Sequence, residues 1–244
     1  MKTFSKRPGE EKRITVPCNF CGNDDAFLLS ESKDFRFVKC SKCGLVYQNP
    51  LPVASDVFTR YDEEYFLYEI ENEQSFFTLM KLGLEDVDFY TWEPRVKEKG
   101  LFLDIGCATG ALLAYMRERG WRVKGVEVCR QSAEYGIRER GIDIAIGTLE
   151  DSGLPENSCS VIHCSHIIEH VPNPARFFTE IKRILLPGGI LILTTPNIDG
   201  FQSRLFGEKW RSMIADHLYL FSKKTLEQYF TSFNFAVKKR KTWG

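Results

Sequence analysis

The sequence predicts an α/β protein: a mostly parallel sheet with helices on both faces, preceded by a small module stapled by cysteines. Three observations carry this. From residue 101 onward, short apolar runs alternate with helical text, the pattern of strand–helix–strand units. A glycine-bearing turn at 106–110 separates the first run from a helix. Two close cysteine pairs stand upstream, in text with little hydrophobic periodicity.

The totals bound the partners. A chain of 244 residues can bury one sizeable core plus a small appended module. Lys+Arg and Asp+Glu are equal at 33 each, so no global field draws the chain to nucleic acid or to an anionic membrane. No segment approaches the roughly 20 unbroken apolar residues of a membrane helix. Residues 1–13 are charged and lack an apolar h-region, so they do not read as a signal peptide. Eight cysteines in such a chain are expected to be thiols or metal ligands of a reducing compartment, and the expected location is cytoplasmic.

In chain order, residues 1–50 form the cysteine module. Cys18-Asn19-Phe20-Cys21-Gly22 and Cys40-Ser41-Lys42-Cys43-Gly44 are two CxxCG turns separated by 18 residues. Each delivers two thiolates, and the glycine lets backbone amides turn toward the sulfurs. Four thiolates make a closed tetrahedral site, so the expectation is a zinc ribbon with one structural zinc on Cys18, Cys21, Cys40 and Cys43. Unmetallated or redox dithiols are the weaker reading of two such pairs. Cys107, Cys129, Cys159 and Cys164 lack metal spacing and read as packing residues.

Residues 51–97 carry Tyr61, Tyr65, Phe66, Phe76, Phe77, Met80 and Leu84 at helical spacing and predict a helical connector that caps the larger domain. Residues 98–244 form that domain. Strands are predicted at 101–105, 122–128, 142–146, 159–167 and 190–195. One helix at 110–119 buries Leu112, Leu113 and Met116. Another at 174–186, with Asn173 as N-cap and Pro174 in its first turn, buries Phe177, Phe178, Ile181, Ile184 and Leu185.

The run Leu101-Phe-Leu-Asp-Ile-Gly-Cys-Ala-Thr-Gly110 is the most informative. It places a turn at the carboxyl end of a strand, where open α/β sheets bind ligands. Its glycine spacing is not the GxGxxG of a dinucleotide loop, and Asp104 suits a cationic ligand better than a polyphosphate. Glu127 ends the next strand, where a carboxylate can accept from both hydroxyls of a ribose.

Together with Gly147-Thr-Leu-Glu150, Ile168-Glu-His-Val171 and Leu186-Pro-Gly-Gly189, these motifs resemble class I S-adenosylmethionine-dependent methyltransferases over about residues 55–244. The resemblance is strongest to the ubiquinone-biosynthesis type of O-methyltransferase and to methyltransferases of sugar and antibiotic pathways, several of which also carry an N-terminal zinc ribbon. It implies a Rossmann-like sheet and S-adenosylmethionine as cofactor. Asp104, Gly106, Cys107 and Gly110 would line its methionine and ribose, and Glu127 would take the ribose hydroxyls. Thr148, Leu149 and Glu150 would flank the adenine, although many relatives have an aspartate where Thr148 stands. Cys164 and Ser165 would reach the methionine end. The resemblance also implies seven strands, the last antiparallel and inserted beside the fifth. Ser222 caps a helix bearing Leu226, Tyr229, Phe230 and Phe233, residues 235–243 then read as the sixth strand, and no text remains for a seventh. The expectation is that part of the natural C-terminus is missing, or that the sheet closes differently.

The chain has four histidines. His163, inside a strand, reads as a core residue. His166 and His170 come after the fourth strand, and His217 lies in an aromatic-rich insertion after the fifth. His170, matched in the ubiquinone-type relatives, and His217 are the candidate catalytic bases, because imidazole titrates near neutrality. Placement alone can also carry methyl transfer, since a sulfonium is already activated.

Three functions are weighed. The first is a small-molecule methyltransferase, chiefly acting on oxygen. The second is an RNA methyltransferase that uses the ribbon to hold its substrate; the neutral charge and the absence of an Asn-Pro-Pro-Tyr-like run after the fourth strand count against it. The third is a non-enzymatic cofactor-binding relic, which the intact loop and Glu127 disfavour.

Overall fold

The computed structural model describes residues 11–96 and 99–242. Its strands are β1 (Arg13–Ile14), β2 (Ala26–Glu31), β3 (Arg36–Cys40), β4 (Val46–Gln48), β5 (Leu51–Pro52), β6 (Leu101–Ile105), β7 (Arg122–Glu127), β8 (Ile144–Ile146), β9 (Cys159–Ser165), β10 (Leu185–Thr194) and β11 (Tyr219–Leu220). Its α-helices are α1 (Ala54–Phe58), α2 (Glu63–Asp86), α3 (Phe89–Trp92), α4 (Ala111–Glu118), α5 (Arg130–Arg140), α6 (Pro174–Ile184), α7 (Phe201–Phe206) and α8 (Lys223–Ser232). No helix among the described residues is long and apolar enough to cross a membrane.

The chain divides into two compact units, each assembled from separate stretches of sequence. One comprises Tyr61–Ser165 and Thr179–Thr194; the other comprises Met1–Arg60, His166–Phe178 and Thr195–Gly244.

The first unit holds a five-stranded sheet in the order β10-β9-β6-β7-β8, with every neighbouring pair parallel. The central strands read as apolar runs because both faces are covered. Leu112, Leu113 and Met116 of α4 join Phe102, Val161, Ile192, Trp121, Leu84 and Phe89 in one core. The predicted strands are present, three of them with trimmed ends; the fifth instead begins at Leu185 and ends at Thr194, so the helix expected over 174–186 stops at Ile184 and Leu185 belongs to β10. The Leu186-Pro-Gly-Gly189 run forms a bulge at the head of β10, where the register with β9 slips between Leu185 and Ile190 and Gly188 adopts φ +78°. α2 is far longer than its neighbours, and its first turn is capped by the Asp62 carboxylate, which accepts from the Glu64 and Tyr65 amides at 3.0 and 3.2 Å.

The sixth strand is a correction. Residues 235–242 form no strand, and Trp243 lies outside the described residues. The Phe235 amide donates to the Phe230 carbonyl and closes the end of α8, while Val237 and Lys238–Lys241 are exposed. A β-rich run with nothing to bury gains nothing from extension. Among the described residues, no strand pairs with the outer edge of β10.

The second unit is built on a four-stranded antiparallel sheet in the order β11-β4-β3-β2. Its core joins Phe37 and Val46 of the ribbon to Trp210, Met213 and Leu220. A second aromatic cluster gathers Phe178 with Tyr229, Phe230, Phe233 and Phe235, and Phe20 packs on Tyr229 at 4.6 Å. Ser222 and Thr225 form a reciprocal capping box at the start of α8, in keeping with the N-cap expected at Ser222.

Candidate functional site

Parallel register brings the carboxyl ends of β6, β7 and β9 to one edge: Ile105 lies beside Val126 and Cys164, and Glu127 beside Ile146. The loop after β6 is wound through left-handed conformations at Gly106 (φ +69°), Ala108 (φ +49°) and Gly110 (φ +74°). Glycine adopts these freely; Ala108 does so at a cost of ~1–2 kcal/mol. Its amide donates to Glu127 Oε2 at 2.8 Å, and the Cys129 amide donates to Oε1 at 2.8 Å. Glu127 is therefore the clasp of the loop as well as the strand-end acid, a role the sequence did not suggest. Each of its oxygens keeps a lone pair, so a diol can still be accepted. Burial pushes the carboxyl above its ordinary range, against the pull of the two amides.

Cys107 is buried with its thiol toward β7; a Cβ at Gly125 would lie 2.4 Å from its Sγ. Asp104 is buried, and its Oδ1 meets His163 Nδ1 at 2.7 Å across the β6–β9 pairing. Asp104 Oδ2 and His163 Nε2 have no hydrogen-bond partner. His163 is thus a core residue with a buried acid as its partner. The Thr148 hydroxyl donates to Asp151 Oδ2 at 2.6 Å, Leu149 is buried, and Glu150 is half-buried. Cys164 is buried, and Ser165 Oγ pairs with Thr194 Oγ1 at 2.9 Å.

Sequence reading missed the contribution of α2. Glu69, only 6% exposed, shares a hydrogen bond with the Ser132 hydroxyl. One turn on, Glu73 receives both 2.8 Å bonds of an Arg140 guanidinium and bonds the Thr109 hydroxyl of the loop. Burial, then the neighbouring Glu127, push Glu69 up to about 8. Glu127 faces two N–H donors and Glu69 a hydroxyl, so the proton of this carboxyl pair resides on Glu69. The available signal was an acid at each of two successive helical turns (69 and 73) in an aromatic stripe.

In the other unit, the four cysteines come together. Cys18 and Cys43 sulfurs are 3.4 Å apart, Cys21 and Cys40 3.6 Å, and all four fall within 4.8 Å of one another. A tetrahedron with metal–sulfur bonds of ~2.3 Å has edges of about 3.8 Å, so the set fits a thiophilic ion. Gly22 (φ +67°) and Gly44 (φ +82°) close the two turns as expected. Despite burial, the Cys43 and Lys42 amides and neighbouring thiols bring Cys40 down to about 6.

The same unit gathers His166, Glu169, His170 and His217. Glu169 is fully buried, accepting from His166 Nδ1 at 3.1 Å and the Thr195 hydroxyl at 2.9 Å. Burial alone would raise its carboxyl; the His166 bond and the imidazoles around it hold it at about 2. His170 and His217 rings lie edge to face at 4.8 Å. Their Nδ1 atoms donate to the carbonyls of Asp216 (3.0 Å) and Ser212 (2.8 Å), which fixes the tautomer and leaves each Nε2 as acceptor. Burial lowers both, His217 to about 4, so both rings are neutral at pH 7. Glu169, His170 and His217 also place three ligand atoms within 4.8 Å, a spacing that could hold a divalent ion. Glu169 sits in a motif quoted from the sequence, yet only its neighbour His170 was singled out there.

With this geometry in hand, the fold and the glycine loop with its clasping acid define a class I methyltransferase domain. Residues 87–239, more than half of the chain, match the methyltransferase domain family, and the chain belongs to it. It is similar to a ubiquinone biosynthesis O-methyltransferase of Haemophilus ducreyi, 32% identical over 117 residues, or 42% of this chain and 50% of that one. It is also similar to the enzyme of the same name from Idiomarina loihiensis, 39% identical over 110 residues, or 40% and 44%. The chain spans about half the length of these curated relatives or less. In fold it resembles a SAM-dependent methyltransferase from Archaeoglobus fulgidus, with TM-score 0.55 and 21% identity, covering 70% of this chain and 74% of that one.

Proposed function

We propose that the chain is an S-adenosylmethionine-dependent methyltransferase acting on a small molecule, chiefly at oxygen, with a structural zinc on Cys18, Cys21, Cys40 and Cys43. The observation that carries the reading is Glu127: a buried carboxylate clasping a strained loop in a chain of the methyltransferase domain family. Gly106, Cys107 and Gly110 give the loop its close approach to the donor, and Asp104 sets the loop's base against His163. Glu127 accepts the ribose hydroxyls. Thr148, Leu149 and Glu150 border the adenine, with Leu149 as its apolar wall, and Cys164 and Ser165 border the methionine end. The donor, when bound, supplies a methyl group already activated by its sulfonium. His170 or His217, neutral and with a free Nε2, takes the proton of a substrate hydroxyl. The small-molecule reading draws on the neutral charge balance and on the O-methyltransferase names of the relatives.

The test is transfer of an isotope-labelled methyl group from S-adenosylmethionine into a cell extract, with the labelled product identified by mass. The parent labels a small organic molecule and Glu127→Ala does not. Label in RNA would overturn the substrate class, and no label above the Glu127→Ala background would overturn the activity.

A further inference from the structure

The ribbon shares a sheet and a core with the histidine-bearing segment. β4 begins three residues after Cys43, pairs with β11 through Tyr47–Tyr219 and Val46–Leu220, and ends at Gln48. Gln48 is 0% exposed. Its backbone amide donates to the Leu218 carbonyl at 2.8 Å, and its side-chain amide donates to the carbonyls of Ala215 at 2.8 Å and His217 at 2.7 Å. Its Oε1 accepts from Arg13 at 3.0 Å, so the amide orientation is fixed from both ends. Arg60, held by Glu11, adds a second bond to the Ala215 carbonyl at 3.2 Å. Within the clamped stretch 215–218, the Asp216 carbonyl orients His170, and the clamped His217 itself donates to the Ser212 carbonyl upstream. One buried side chain thus stands between the cysteine turns and both candidate bases.

We propose that Gln48 is a positioning residue through which the metal-bearing ribbon sets the His170–His217 pair, so that release of the metal frees residues 211–221. The ribbon is then a strut for the histidine-bearing segment. The metal half of this proposal rests on the reading of the four cysteines as a zinc site.

Hydrogen–deuterium exchange and histidine side-chain 15N spectra test it on the full chain. In Gln48→Met, which keeps the shape and removes both donors, amides of 211–221 should exchange at least about tenfold faster. The Nδ1 protons of His170 and His217 should broaden, while zinc content and the protection of β6 and β7 stay at the parent's values. Zinc stripped by a chelator, its release followed with a chromogenic dye, should produce the same exchange pattern, and added zinc should reverse it. If Gln48→Met fails to fold, Gln48→Glu, which sets a carboxylate against two carbonyls, and the stripped parent carry the test. Unchanged protection of 211–221 in a folded Gln48 variant overturns the positioning role. Unchanged protection after verified zinc loss overturns the coupling to metal. Purified protein that never held zinc overturns the zinc reading and the metal half together, and the Gln48 arm then decides the rest.

Discussion

Replacing Glu69 by glutamine should flatten the dependence of stability on pH. Glu69 is shut between Ser132 and Glu127, with Tyr65 on its own helix and Glu73 one turn along, the latter already neutralised by Arg140. Its carboxyl is pushed from an ordinary 4.5 up to about 8, by burial first and by Glu127 second. Below pH 4.5 the folded and unfolded chains both carry the proton, and folding gains nothing from it. Between 4.5 and about 8 the unfolded chain ionises while the folded chain stays protonated, so stability falls as pH rises; above 8 both are ionised and the fall stops. At ~1.4 kcal/mol per unit, the parent has lost ~3 kcal/mol by pH 7 relative to pH 4.5. Glutamine keeps the shape and cannot ionise. Urea unfolding of parent and Glu69→Gln at pH 5, 6, 7 and 8 should give curves that diverge steadily, the variant becoming the more stable. Parallel curves would refute the assignment of the proton to Glu69.

Four other substitutions, one of them a second change on a variant background, probe the same unit. Glu127→Ala removes the clasp and two acceptors, so calorimetry should record at least about tenfold weaker binding of S-adenosylhomocysteine. His163→Phe strands the buried Asp104 and should cost about 3–5 kcal/mol in chemical denaturation; Asp104→Leu on that background should recover most of it. Gly136→Ala places a Cβ 2.6 Å from Ile144 Cδ1 and 2.7 Å from the Thr109 carbonyl, so it should destabilise by about 1–3 kcal/mol and weaken S-adenosylhomocysteine binding through the loop.

The five parallel strands and the loop were legible because their signals are local: an apolar run, then glycines where the backbone turns left-handed. The cysteine turns were legible for the same reason. The 235–243 run misled because alternation predicts a strand only where one face finds something to cover, and α8 and Phe178 took Phe235 instead. Glu69 and the partner of His163 were not legible, since each is defined by a side chain 59 or more residues away. The pairing of β4 with β11 was not legible either, since no local pattern announces a mate so far along the chain.

That pairing has a consequence for synthesis and for dissection. Gln48 and the carbonyl it holds at His217 are 169 residues apart. As the chain leaves the ribosome, the ribbon emerges with an unpaired edge and half a core, and must wait through the making of the whole parallel sheet for its complement. An unpaired strand edge of this kind is a template for pairing with another chain until β11 covers it. Cutting at residue 60 would part the ribbon from β11 and from Trp210, Met213 and Leu220, which complete its sheet and its core. A split form that restores the second unit would have to supply residues 166–178 and 195–232 together with the ribbon.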